Sequence, residues 1–410
     1  MTGEDVHRVA IVGAGQAGLQ TAVSLRELGF TGAISLFGAE PFLPYQRPPL
    51  SKTYLKEDCA PEKVFLRPER FFTERAIACR VGARVVSIDR AARTLALESG
   101  ETAEWDRLVL TTGVVNRRLP VPGADLDGVV MLRGLEDAHG IRPRLRTAKG
   151  IVIVGGGVIG LEVAALARSV GLDVDVVELG DRLAGRISSA PLSAHFLDHH
   201  RSLGTRVHLG ASVTGIEGRG GQVAAVTVDN GARIETELVL VCIGVAADTA
   251  LAVNAGLEVG DGILVDDHAV SSDPAILAAG DCTRFKPAHG VLDSIRLESV
   301  QNAIDQAKCA AETIVGRPRA YDALPWFWSD QGDLKLQIAG LTAGHDQTIV
   351  KADAAKGAMT IYCFAKGALL GVECVNRPAD FMAARRVLGA RKRVTVGDVE
   401  KADFALKAFM

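Results

Sequence analysis

Two glycine triplets mark places where this chain can hold phosphate. In "VAIVGAGQAGLQTAVSL" the apolar run 9–12 meets Gly13-x-Gly15-x-x-Gly18, and in "GIVIVGGGVIGLEVAALA" the run 151–154 meets Gly155-x-Gly157-x-x-Gly160. Each triplet is followed by apolar residues at helical spacing, so each reads as strand, tight turn and helix. The first glycine makes the turn, the second lets backbone approach a pyrophosphate, and the third lets helix and strand pack closely. The helix N-terminus then offers unpaired amides to the anion. Each unit also has an acid after its next strand: Glu40, 27 residues past Gly13, and Glu178, 23 residues past Gly155. A carboxylate there accepts hydrogen bonds from a ribose and repels a 2′-phosphate, so Glu178 argues for NADH over NADPH, with nearby Arg182 able to soften that rejection. Glu40 also reads as an ordinary solvated acid.

Three more apolar runs end in glycine: "RLVLTTG" at 107–113, "LVLVCIG" at 238–244 and "PAILAAGDC", which ends on Gly280-Asp281. Glycine lets backbone approach a ligand, and an aspartate at a strand's carboxyl end suits a polyol or phosphate, or caps a helix. Two dinucleotide sites on one chain predict one resident and one visiting cofactor, because hydride transfer needs two reactive rings face to face; flavin with nicotinamide is the economical pairing.

The elements that must position these residues are expected to be α/β: two Rossmann-like nucleotide-binding domains followed by an α+β domain. The expected boundaries are 1–115 for the first part of an FAD-binding domain, 116–244 for an inserted NADH-binding domain, 245–320 for the remaining FAD-binding part, and 321–410 for the carboxyl-terminal domain. With 410 residues, 48% hydrophobic content, 44 glycines and a net charge of -3, composition recommends neither nucleic acid nor an unusual class. The seven cysteines form no C-x-x-C or C-x-x-x-x-C pair, which fits a reducing, cytoplasmic setting. No uninterrupted apolar run reaches the ~18 residues of a membrane span, and neither export nor a membrane partner is expected. "HFLDHH" places His195 and His199 at helical i,i+4 spacing, but with no convincing third ligand they read as surface histidines, and no metal is expected.

"PYQRPPLSK", "GGGVIGLEVA", "AAGDC", "RLESVQNAIDQA", "PWFWSDQ" and "VNRPADFMAARR" occur in order along nearly the whole chain. Together they resemble the FAD-dependent, NADH-using ferredoxin and rubredoxin reductases of the glutathione-reductase superfamily, the putidaredoxin-reductase-like group that serves oxygenases. "TTG" at 111–113 stands where many members read "ATG". The resemblance implies that Gly13, Gly15, Gly18 and Glu40 hold the adenosine-diphosphate half of FAD, with Arg47 by the pyrophosphate. Val85, Thr112, Gly113, Gly280, Asp281 and Val300 would lie along the same cofactor, and Trp328 near its ring. Gly155, Gly157, Ile159, Gly160, Glu178, Arg186 and Gly244 would receive NADH. Glu162, placed in the first turn of the second loop's helix, would face the nicotinamide carboxamide and pair with Lys52 beside the flavin. Such a pair makes chemical sense, because flavin reduction develops negative charge that an ammonium favours. For Glu162 the plainer reading is a helix-start acid, and for Trp326 and Trp328, which share a strand face, it is core packing.

Relatives in that superfamily often pass electrons to a cysteine pair soon after the first loop, but "LPYQRPPLSKTYL" has none there. Electrons are therefore expected to leave singly to a [2Fe-2S] ferredoxin, or to rubredoxin, and indirectly to a cytochrome P450 or ring-hydroxylating oxygenase. The basic run "ARRVLGARKRV" reads as a steering surface for an acidic partner or as a solvated helix face. The alternatives are an NADH oxidase of the same fold and a redox-signalling flavoprotein resembling apoptosis-inducing factor.

Overall fold

The apolar runs before the two glycine triplets become the central strands of two parallel sheets, Arg8–Val12 and Gly150–Val154, each buried over its last four residues. Strands covered on both faces read as continuous aliphatic runs rather than alternating ones, as these do. The computed structural model describes residues 6–410. It divides into two units: the chain up to Gln46 with Ala60–Val115 and Ala246–Pro325, and Arg47–Cys59 with Asn116–Val245 and Trp326–Met410.

In the first unit five parallel strands lie in the order Ile276–Ala278, Arg107–Leu110, Arg8–Val12, Ala33–Phe37 and Ile77–Arg80. The chain leaves Arg8–Val12 for one neighbour and later fills the other side, which makes a topological switch point at that strand's carboxyl end, where Gly13 stands. Helices Gln16–Glu27 and Val300–Ile314 pack together, and buried aliphatics such as Ile11, Leu36, Val109 and Leu277 form one core cluster. A three-stranded antiparallel sheet, Val85–Asp89, Thr94–Leu97 and Thr102–Glu104, joins another core cluster around Trp105 and Leu108.

The second unit repeats the design with Arg206–Leu209, Asp173–Glu178, Gly150–Val154, Leu238–Val241 and Val129–Met131, again all parallel. Its switch point falls at Gly155. It also contains a five-stranded antiparallel sheet ordered Trp326–Gln331, Leu334–Gly340, Ala368–Val375, Ala358–Ala365 and Gln347–Asp353, packed by helix Pro378–Gly389. Among the described residues no helix is long and apolar enough to cross a membrane.

Candidate active site

The two glycine triplets have the same geometry, and each glycine has its own reason. Gly13 and Gly155 lie at φ +113° and +103°, and a methyl on them would sit 2.2 Å from the Thr111 carbonyl oxygen and 2.4 Å from that of Cys242. Only glycine can turn there against the neighbouring strand. Gly18 and Gly160 would drive a methyl to 1.9 and 2.4 Å from the carbonyl oxygen of the first glycine, so they let the helix close on the turn. At Gly15 and Gly157, by contrast, a methyl meets no protein atom within 4 Å. These are the N-caps of helices Gln16–Glu27 and Val158–Ser169, and neither has a side-chain cap. Open space in front of uncapped amides is the cradle a pyrophosphate needs, so both loops fit a dinucleotide.

Thr111, the departure from "ATG", donates from its hydroxyl to Gly13 O at 2.7 Å and so braces the first turn. Glu40 is half-buried and accepts from the Tyr45 hydroxyl. Thr112 donates to Asp248 O at 2.5 Å, Gly113 takes φ +73°, and the Gly280 amide donates to Gln306 at 2.8 Å beside half-buried Asp281. Val300 opens its helix immediately after the capping Ser299. Val85 differs from a ligand-facing side chain: it is 8% exposed and packs in the core with Leu95, Leu97 and Trp105, which leaves only its backbone to meet a ligand.

In the second unit Glu178 is oriented at both oxygens, accepting from Gly156 N and Gly180 N at 2.6 Å each. Arg182 spends its guanidinium on Ser188 O at 2.5 Å, Gly185 O at 2.8 Å and Ser193 Oγ at 3.2 Å, and so ties its own loop together. Exposed Ile159 lies just inside the helix start, and a methyl on Gly244 would stand 3.5 Å from the Arg186 guanidinium. Arg47 donates to Arg133 O at 2.8 Å.

Lys52 and Glu162 do meet. The ammonium lies 2.7 Å from Glu162 Oε2 and 3.2 Å from Pro48 O. Glu162 is 5% exposed and also accepts from the Ser51 hydroxyl at Oε2 and from Ser329 Oγ at Oε1, 2.7 Å away. Three of its roughly four lone-pair positions are thus used, and one remains for an amide. The placement of Glu162 in the first turn is corrected: Gly157 is the N-cap and Val158 the first helical residue, so Glu162 lies in the second turn, beyond the reach of a helix-start role. Ser51 and Ser329 escaped the sequence reading because nothing local in "PPLSK" or "WFWSDQ" says that their hydroxyls meet the same carboxylate.

Trp326 and Trp328 share a strand face, with ring centroids 5.5 Å apart, and line a cleft of about 530 Å³ with Asp330, Lys335, Gln337 and Asn376. The basic run is not one helical face, because the helix ends at Gly389 and Arg391–Arg393 follow it in a loop. Arg385 lies over the Trp326 ring at 4.7 Å. His199 Nε2 meets Gln331 O at 3.2 Å, so its ring serves packing within the unit. All seven cysteines are free thiols. Burial pushes Cys79 and Cys282 up to about 11 and Cys242 and Cys309 up to about 12, and it raises Cys363 and Cys374 as well.

Residues 7–307 match the family described as pyridine nucleotide-disulphide oxidoreductase, and residues 326–410 match the reductase C-terminal family. Rhodocoxin reductase of Rhodococcus erythropolis is 45% identical over 97% of this chain and 93% of its own. A crystal structure of a ferredoxin reductase from Rhodopseudomonas palustris superposes with a TM-score of 0.95 at 45% identity, covering 98% of this chain and 99% of that one. The covalent putidaredoxin reductase–putidaredoxin complex gives 0.93 at 36%, covering 98% of each chain. Both glycine cradles, each at a switch point of its own parallel sheet, fall within the matched residues, and the chain belongs to the pyridine nucleotide-disulphide oxidoreductase family.

Proposed function

We propose that this protein is an NADH-dependent ferredoxin reductase, with FAD resident in the first unit and NADH visiting the second. FAD, when bound, accepts two electrons as hydride and releases them one at a time, which suits iron–sulfur acceptors. The observation that carries the reading is the Lys52–Glu162 pair, 2.7 Å long, in which half-buried Lys52 meets buried Glu162 on the helix that opens from the second cradle. Lys52 supplies a fixed positive charge where negative charge develops, and Glu162 holds that ammonium while keeping an acceptor for a carboxamide. Glu178, already aligned by two amides, selects a ribose hydroxyl over a phosphate.

The acceptor in this reading is a [2Fe-2S] ferredoxin that serves a cytochrome P450 or ring-hydroxylating oxygenase. The six thiols raised by burial supply no ready thiolate, which supports an exit to another molecule and a reducing, cytoplasmic setting. The domain plan of an FAD-binding domain interrupted by an NADH-binding one belongs to the same proposal. The purified protein is expected to be yellow and to bleach on anaerobic addition of NADH faster than with NADPH. A folded, colourless preparation that rejects added FAD would overturn it.

A further inference from the structure

The strand Trp326–Gln331 shows Trp326, Trp328 and Asp330 on one face and Phe327, Ser329 and Gln331 on the other, as the period of two requires. Ser329 and Gln331 on that second face are fully buried. Ser329 Oγ donates to Glu162 Oε1 at 2.7 Å, and Gln331 Nε2 approaches Ser329 Oγ at 3.5 Å. Gln331 Oε1 in turn meets Nε2 of fully buried His200 at 2.9 Å, and the Gln331 carbonyl meets His199 Nε2 at 3.2 Å. The donors run one way, from imidazole to amide to hydroxyl to carboxylate. His200 Nδ1 has no partner among the described residues, as fits a neutral ring whose proton sits on Nε2.

We infer that Ser329 and Gln331 are positioning residues for hydride transfer: with His200 they form a buried chain that fixes the Glu162 carboxylate from the side opposite Lys52. Lys52 and Ser51 converge on Oε2, and among the described residues only Ser329 directs Oε1. Without the Ser329 hydroxyl the carboxylate keeps its ion pair but can rotate, and the acceptor for a carboxamide loses its direction. Such a rotation misplaces a reacting ring without removing any catalytic residue. The strand that exposes Trp328 to the cleft therefore also aligns the pair, so one element serves both. This inference rests on the reading of Lys52 and Glu162 given above.

The test is a double-mutant cycle on FAD-loaded protein, with single-turnover reduction by NADH as the rate and thermal unfolding of the flavin-free protein as an independent measure. Ser329→Ala is expected to slow reduction about tenfold in the native background, roughly the weight of one hydrogen bond to a charged group. In the Glu162→Gln background it should change the rate less than twofold. The melting shifts of the two substitutions in flavin-free protein should likewise be non-additive. Additive effects, or native reduction by Ser329→Ala, would overturn the positioning role while leaving the pair intact. Native reduction by Glu162→Gln would instead overturn the pair. Should Ser329→Ala fold poorly, Gln331→Met, which keeps volume and removes the amide, takes its place with the same expectations and the same contrary results.

Discussion

At the scale of single residues, the middle glycines give the sharpest separation of folding from binding. Gly157 has φ -78°, an ordinary value, and a methyl there touches nothing within 4 Å. Gly157→Ala should therefore still fold, with a stability change of no more than about 1 kcal/mol, because the less flexible unfolded state offsets part of alanine's poorer N-cap. It should nonetheless weaken NADH binding at least tenfold, measured by titration of the loaded protein, because the methyl occupies the place of a pyrophosphate. Unchanged affinity would show that the loop holds no phosphate. Glu178 is fixed between two amides, and Arg182 is committed to its own loop, so Glu178→Ala should narrow the preference for NADH over NADPH. The ratio of kcat/KM for the two nucleotides reports it, and an unchanged ratio would remove Glu178 as the discriminator.

At the scale of elements, the buried end of helix Ala190–Ser202 carries a pH dependence. Burial pushes His200 down to about 4, while in the unfolded chain it titrates near 6.5. The unfolded state then binds the extra proton between those values, so the stability linked to neutral His200 is present above pH 6.5 and is lost as pH falls towards 4, by up to about 3 kcal/mol. Buried Glu373, pushed up by its own burial, acts with the opposite sign because its stabilisation is lost as pH rises. Comparing denaturant unfolding of the native protein and His200→Gln across pH 7 to 4 isolates the histidine: the native curve should fall more steeply. Parallel curves would mean that His200 is not buried neutral.

The elements also show where sequence reading succeeds. Strand, turn and helix at each triplet follow from local spacing, because the packing constraint and the anion cradle fall within about ten residues. The alternation in "WFWSDQ" likewise predicts a shared tryptophan face. The partner of Ser329 is 167 residues away, and no local pattern encodes which side chains converge after such a separation. The same limit placed Glu162 one turn early, since the helix start depends on which glycine becomes the cap. Of the two readings of "ARRVLGARKRV", the helix face fails in the same way, because the helix stops at Gly389.

At the scale of the whole molecule, charge concerns encounter and cofactors concern turnover. A net charge of -3 gives no global attraction for an acidic ferredoxin, so any steering must be local. Arg386, Arg391, Lys392 and Arg393 are exposed together at and beyond one helix end. If they steer, ferredoxin reduction should fall severalfold from low to high ionic strength while flavin bleaching by NADH stays constant, since only the first depends on long-range encounter. A ferredoxin rate indifferent to salt would remove that role.

The central claim is that hydride enters and single electrons leave. Its most direct measurement is anaerobic: limiting NADH, a catalytic amount of the loaded protein and an excess of [2Fe-2S] ferredoxin, followed at the cluster's visible absorbance. The account predicts two ferredoxins reduced per NADH oxidised, because each hydride carries two electrons and each cluster takes one. Ferredoxin that stays oxidised, with NADH consumed only once dioxygen is admitted, would contradict it and identify an oxidase instead.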